Sequence, residues 1–164
     1  MLATHPNHPI FDQLCRTPFA TDLTAQQCAT LASIMSMSRL CRGQTLLREG
    51  ERDDRVHVVI TGTLAVTKRA GDTDEIISFV KEGSLAGAMG FVDGQGHTAT
   101  LRAMSDTEVL SLSRDALESL ITSDPKLVYK VMSAVIRAAH NIVRSMNDQY
   151  LQLTHYITRQ HGRH

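Results

Sequence analysis

The chain lacks a disulfide framework. It carries three cysteines in 164 residues, Cys15, Cys28 and Cys41, an odd number at wide spacing with no CxxC pair. That excludes a small disulfide-stapled scaffold and leaves reduced thiols in or near a core. Net charge is lacking too: 17 Lys and Arg balance 17 Asp and Glu. A strongly basic nucleic-acid binder is therefore not expected at whole-chain level. No window approaches the roughly eighteen apolar residues of a membrane span. Residues 1–9 are polar and have no apolar h-region, so they read as a flexible lead-in, not a signal peptide. The expected location is cytoplasmic. The 42% hydrophobic content suffices for a packed core without disulfides or metal.

The stretch from Glu82 to Ala103 has five glycines in its first fifteen residues, Gly83, Gly87, Gly90, Gly94 and Gly96. Such a run suits backbone that turns tightly and comes close to something. Before it, Phe11, Leu14 and Phe19 anchor a short helix and turn. Cys28, Leu31, Ile34 and Met35 give helical spacing up to about Ser38. Short alternating segments follow, separated by glycine turns about ten residues apart. Val56, Val58 and Ile60 share one strand face, Leu64, Val66 and Lys68 begin another strand, and Ile76 to Val80 make a third. This pattern suggests an antiparallel sandwich or barrel. After the glycine stretch, Ala99, Leu101 and Ala103 face one way, and Thr98, Thr100 and Arg102 the other. Ser113 is a plausible N-cap for a helix carrying Leu117, Leu120 and Ile121.

From Lys126 to His161 there is neither glycine nor proline. At 1.5 Å per residue this predicts a helix of roughly 50 Å. Val128, Met132, Val135, Ala139, Ile142 and Met146 recur at steps of four and three, the spacing of a coiled-coil seam. Beyond Met146 the choice of Tyr150, Leu153 and Ile157 suggests a stutter or a change of partner. A helix longer than its body cannot bury its whole stripe there, so parallel pairing with a second copy is expected.

This order resembles the cyclic nucleotide-binding domain of the bacterial cyclic-AMP receptor protein family. The matching residues are Gly43 with Leu46, Glu49-Gly50-Glu51, Val58-Val59-Ile60-Thr61-Gly62, Gly83, Gly87, Thr98-Ala99 and Asp124-Pro125. The resemblance implies an antiparallel β jelly-roll over residues 10–125 with flanking helices, and a dimerisation helix over 126–164. It also implies that the glycine stretch holds a cyclic phosphate and ribose. A short helix opens with Gly87, Ala88 and Met89, its N–H groups facing the anion. The family's ribose-binding glutamate falls on Ala88, and its phosphate-binding arginine on His97. Its hydroxyl and amide positions fall on Thr98 and Ala99.

Alanine accepts no hydrogen bond, and histidine lacks the forked geometry of guanidinium. Each charge-assisted bond is worth roughly 1.5–3 kcal/mol. Losing both predicts cyclic AMP binding weaker by about two to four powers of ten. Arg102 lies on the face of Thr98 and Thr100 and is a candidate substitute. Asn141, Arg144 and Ser145 are the helix residues placed opposite the pocket. Family transcription factors follow this helix with a helix-turn-helix module. Here the sequence stops at His164, so no direct sequence-specific DNA binding is expected. The basic helix residues, Lys126, Lys130, Arg137, Arg144, Arg159 and Arg163, read as a solvated face or a site for an acidic partner.

Eight histidines raise a metal hypothesis. However, His57, His97, His140 and His155 make no close pair on one element, and His161 and His164 flank Gly162. No Ser-His-Asp set or paired carboxylates can be placed in the pocket, and Asp93 fits an Asp-Gly turn. The sequence thus predicts no catalytic residues, no metal and no required cofactor. The expected function is a non-enzymatic regulatory module, a homodimer acting through a protein partner. Two alternatives stand beside it: a transcription regulator responding to another nucleotide such as a cyclic dinucleotide, and a cupin-like metalloenzyme.

Overall fold

Alternation along the strands decides what lies between the two sheets and what lies behind them. The computed structural model describes residues 9–161, without the side chains of residues 160 and 161. Of the expected lead-in over residues 1–9, residues 1–8 lie outside it, as do the His161 and His164 side chains, while Pro9 already opens the first helix. One antiparallel sheet runs β1 (Ser36–Leu40), β8 (Thr107–Ser113), β3 (Arg55–Thr61) and β6 (Leu85–Ala86). The other runs β2 (Thr45–Leu47), β7 (Thr100–Ala103), β4 (Leu64–Ala70) and β5 (Thr73–Val80). They form the jelly-roll, with helices packed behind the first sheet.

Central β3 is buried on both faces. Val56 and Val58, with Leu110 and Leu112 of β8, join the helical core. Val59 and Val109 point the other way and meet Leu47, Leu64, Leu101 and Ala103 between the sheets. His57 and Ser111 are register partners and alternate with these apolar residues, so they share the inner face.

Helix α1 (Pro9–Cys15) buries Leu14, and the 3-10 turn Pro18–Ala20 buries Phe19. Helix α2 (Ala25–Ile34) starts with a capping box, in which the Gln27 N–H donates to Thr24 Oγ1 and the Thr24 N–H donates to Gln27 Oε1, both at 3.2 Å. It ends earlier than expected. Met35 is extended, and Ser36 to Leu40 pair with β8 as β1 instead of continuing the helix to Ser38. A paired β8 edge outweighs one more helical turn that would carry two serines. β4 runs on to Ala70 and β5 begins at Thr73, so the turn at Gly71 is tight.

Helix α5 (Pro125–His161) uses two faces. Leu127, Val131, Ala134 and Val135 are buried against the body. Two polar contacts help to seat it: Lys130 Nζ donates to Gln27 Oε1 at 2.8 Å, and Arg137 Nη2 meets Asp22 Oδ2 at 3.0 Å. From His140 to Arg159 every residue is exposed.

The expected seam needs correcting at Val135, which is fully buried in its own chain, while Val128 packs partly against the same core. Met132 packs partly against that core as well, so the outward stripe runs from Ile136 through Ala139, Val143, Met146, Tyr150 and Leu153 to Ile157. Its steps alternate three and four without interruption, so the expected stutter disappears. It arose from joining the body-facing Val135 to outward residues. Ile142, taken as a seam residue from sequence, flanks this stripe at 48% exposure.

Candidate ligand-binding cassette

Leu85 and Ala86 bring the chain through β6 into the first sheet, and Gly87 turns it. Gly87 has φ of 76° and caps helix α3 (Ala88–Asp93). A Cβ there would lie 3.0 Å from the Arg55 carbonyl oxygen and 3.2 Å from Leu47 Cδ1. Both the left-handed backbone and the close approach therefore require glycine. Ala88 and Phe91 face the helical core, and Met89 and Val92 are exposed. The far end of α3 is closed from α4 (Arg114–Glu118). Arg114 Nε donates to the Phe91 carbonyl at 2.8 Å, and its Nη2 to that of Gly90 at 3.0 Å. A guanidinium at these carbonyls also complements the helix dipole.

The segment after α3 is tied to the loop between β2 and β3. His97 N–H donates to the Glu51 carbonyl at 2.9 Å, and the Gly50 N–H to the His97 carbonyl at 2.8 Å. This brings the His97 ring beneath Gly90, where an added Cβ would meet its Cε1 at 3.0 Å. His97 is 9% exposed, and among the described residues its Nε2 has no hydrogen-bond partner.

Beside it, three polar side chains form a hydrogen-bonded row. His57 Nδ1 is 2.7 Å from Ser111 Oγ, and His57 Nε2 is 3.2 Å from Asp53 Oδ2. The His57 bond holds Asp53 below the usual carboxylate range; burial opposes this, and the His57 charge, the Arg55 N–H and the His97 charge add to it. The row lines a cleft of about 620 Å³ with Ser38, Leu46, Arg52, Asp54, Arg55, Gly94 and Arg114.

Residues 37–124 match the cyclic nucleotide-binding domain family model. The chain belongs to the cyclic nucleotide-binding domain family. It is 32% identical over 111 residues to neuropathy target esterase sws of Drosophila virilis, over 61% of this chain and 8% of that protein. It is 25% identical over 108 residues to the CRP-like cAMP-activated global transcriptional regulator of Mycobacterium tuberculosis, over 65% of this chain and 48% of that protein. The chain thus spans about half the length of that regulator and under a tenth of the esterase. A solved cyclic nucleotide-binding domain from Methylobacillus flagellatus KT superposes with a TM-score of 0.78 at 28% identity, covering 87% of this chain and 81% of that one.

Within this cyclic nucleotide-binding domain, the sequence-derived site residues divide. Gly87, Ala88 and Met89 open α3, and Thr98 and Ala99 lie where the chain leaves the cassette. His97 is not presented as a cassette arginine would be, because its backbone pairing with residues 50 and 51 turns the ring under α3. Arg102 is exposed, on the side of β7 opposite buried Leu101 and Ala103, so it points out of the jelly-roll. Besides Arg114, the cation Lys68 reaches the cassette. Its Nζ donates to the Thr98 carbonyl at 2.9 Å and pairs with Glu49 at 3.5 Å. Asn141, Arg144 and Ser145 stand exposed on α5, outside the cleft lining.

The sequence reading placed no Ser-His-Asp set here, and the Asp53–His57–Ser111 row corrects that. Only the Asp53 and His57 spacing is local; Ser111 arrives through the β3–β8 register. Ser111 is 5% exposed in mid-strand, and the row pairs these nearly buried polar groups with one another. Among the described residues no three His, Cys, Asp or Glu side chains converge as a metal site would require.

Proposed function

We propose that this chain is a non-enzymatic regulatory module, a dimeric cyclic nucleotide-binding-type domain that acts through a protein partner and binds cyclic AMP weakly or not at all. One observation carries the reading on ligand. At the glutamate position Ala88 faces the apolar core, and at the arginine position the His97 ring is buried under α3. Neither presents a side chain to a ribose hydroxyl or a phosphate. Lys68 is the cation beside Thr98, but its existing bonds to the Thr98 carbonyl and Glu49 must be given up before it serves an anion.

The dimer reading rests on the outward stripe of α5, seven positions from Ile136 to Ile157 spanning about 32 Å of helix. Exposed apolar side chains in an unbroken 4–3 repeat fit a second copy of the same helix. In this mechanism a ligand or partner on the cassette displaces α3, and α5 carries the change to the helix pair.

The test is calorimetric titration of the protein with cyclic AMP, cyclic GMP and cyclic di-GMP at about pH 6 and pH 8. The expected result is no heat, or binding weaker than micromolar, for cyclic AMP and cyclic GMP at both values. Micromolar or tighter cyclic AMP binding would refute the reading of the cassette. Tight cyclic di-GMP binding would move the conclusion to a regulator that senses a cyclic dinucleotide.

A further inference from the structure

The N-terminal helices hold a feature the nucleotide cassette does not use. Cys15, the last residue of α1, and Cys28, in the second turn of α2, bring their sulfurs within 2.6 Å. That is about 0.6 Å longer than a covalent S–S bond. Both residues are free thiols. Cys15 is exposed and Cys28 is 2% exposed, so one sulfur is open to a solvent oxidant and the other shelters behind it. Cys41, the third cysteine, is exposed on another part of the surface and has no sulfur partner among the described residues.

We propose that Cys15 and Cys28 are a thiol–disulfide modification site, oxidised by hydrogen peroxide to an intramolecular disulfide that staples α1 to α2. The Cys15 thiolate attacks the peroxide, the O–O bond breaks, and Cys15 becomes a sulfenic acid as hydroxide leaves. The Cys28 sulfur then attacks the Cys15 sulfur, and the S–S bond forms. The departing hydroxide takes up the Cys28 proton. Two thiols and one peroxide give one disulfide and two waters, and a cellular dithiol reverses the reaction.

Burial, with the Cys15 sulfur beside it, pushes the Cys28 thiol up to about 12. Cys28 therefore waits as the protonated resolving thiol while Cys15 meets the oxidant. The staple has a consequence beyond α1. Gln27, next to Cys28, receives Lys130 of α5, and Asp22 in the enclosed loop receives Arg137. The disulfide closes the loop that carries both contacts, so the redox state of the pair sets how firmly α5 is seated.

The test uses the full chain with Cys41→Ser, treated with hydrogen peroxide, then denatured and alkylated for intact mass. The expected result is loss of both alkylatable thiols, a fall of about 2 Da, a Cys15–Cys28 peptide and no chain-to-chain crosslink. The oxidised protein should melt several degrees above the reduced protein, and dithiothreitol should reverse the shift. Adding Cys15→Ser, at an exposed position the fold tolerates, should abolish the difference in melting. Two thiols still alkylatable after treatment, Cys15 sulfinic acid beside an intact Cys28 thiol, or crosslinks only between chains would each overturn the proposal.

Discussion

Val143→Asp tests the outward seam of α5 most directly. Val143 is 55% exposed in the single chain, so somewhat under half of its surface is already covered by its own helix. Fully burying a valine is worth about 1.5 kcal/mol, and the part left for a partner to cover roughly 0.8 kcal/mol per chain. Two copies lose about 1.5 kcal/mol. Two carboxylates brought face to face without partners add about 2–3 kcal/mol more. The sum, about 4 kcal/mol, weakens self-association roughly 300- to 2,000-fold. Leu151→Asp is the matched control: Leu151 is 56% exposed on the same free stretch, but one position off the 4–3 repeat. Its substitution should change the dimer Kd less than about tenfold, because it stays in solvent in the pair. Sedimentation equilibrium over a wide concentration range measures all three proteins. Equal losses from both substitutions, a larger loss from Leu151→Asp, or a wild-type chain monomeric throughout would refute the seam.

Two further outcomes concern the cassette. Asp53 is held below its ordinary range by His57, so its contribution to stability is present above about pH 4 and is lost as the pH falls through its folded value. Asp53→Asn should therefore cost about 1–2 kcal/mol at neutral pH and flatten the acid limb of the melting curve below about pH 4; an unchanged acid limb would show that other carboxylates dominate it. Gly87→Ala should destabilise by about 1–3 kcal/mol in thermal melting, because alanine meets both a left-handed φ and the Arg55 carbonyl; an unaltered melting temperature would mean that the turn relaxes freely.

The strands, the cassette position and the long helix were legible in the sequence because each has a local signature. β3 is apolar at Val56, Val58, Val59 and Ile60, the cassette is dense in glycine, and α5 has no breaker after Pro125. What was not legible depends on register and direction. Ser36 to Leu40 became a strand because β8 offered an edge, which no local pattern announces. His97 looked like a weaker arginine, but backbone bonds to Gly50 and Glu51 turn its ring inward. Lys68 was read only as part of an alternating strand, and its reach to Thr98 depends on the β4–β7 pairing. Cys15 and Cys28 are thirteen residues apart, and only the packing of α1 on α2 brings their sulfurs together. Val135 satisfied a heptad as well as any neighbour, and its burial follows from which face of α5 the body takes.

The coupling of cassette to helix follows from shared packing. Ala88 and Phe91 of α3 belong to the same core as Leu127, Val131, Ala134 and Val135 of α5. Phe91 is 1% exposed and Val135 is fully buried, so α3 has no solvent gap into which it can shift alone. A displacement of α3 must either open a cavity, at roughly 24 cal/mol per Å³, or carry α5 with it. The second course is easier where α5 is held by few groups. From His140 to Arg159 its described residues are all exposed, and nearer the body its polar ties include the exposed Arg137–Asp22 pair and the Lys130–Gln27 bond. Exposed pairs of this kind resist by about 1 kcal/mol or less. The core grips the first turns of α5 firmly and leaves the rest of the helix to follow, so small motions at Phe91 are enlarged along the outward seam. On the function proposed above, the seam and not the cassette is where another protein would read the state of this domain.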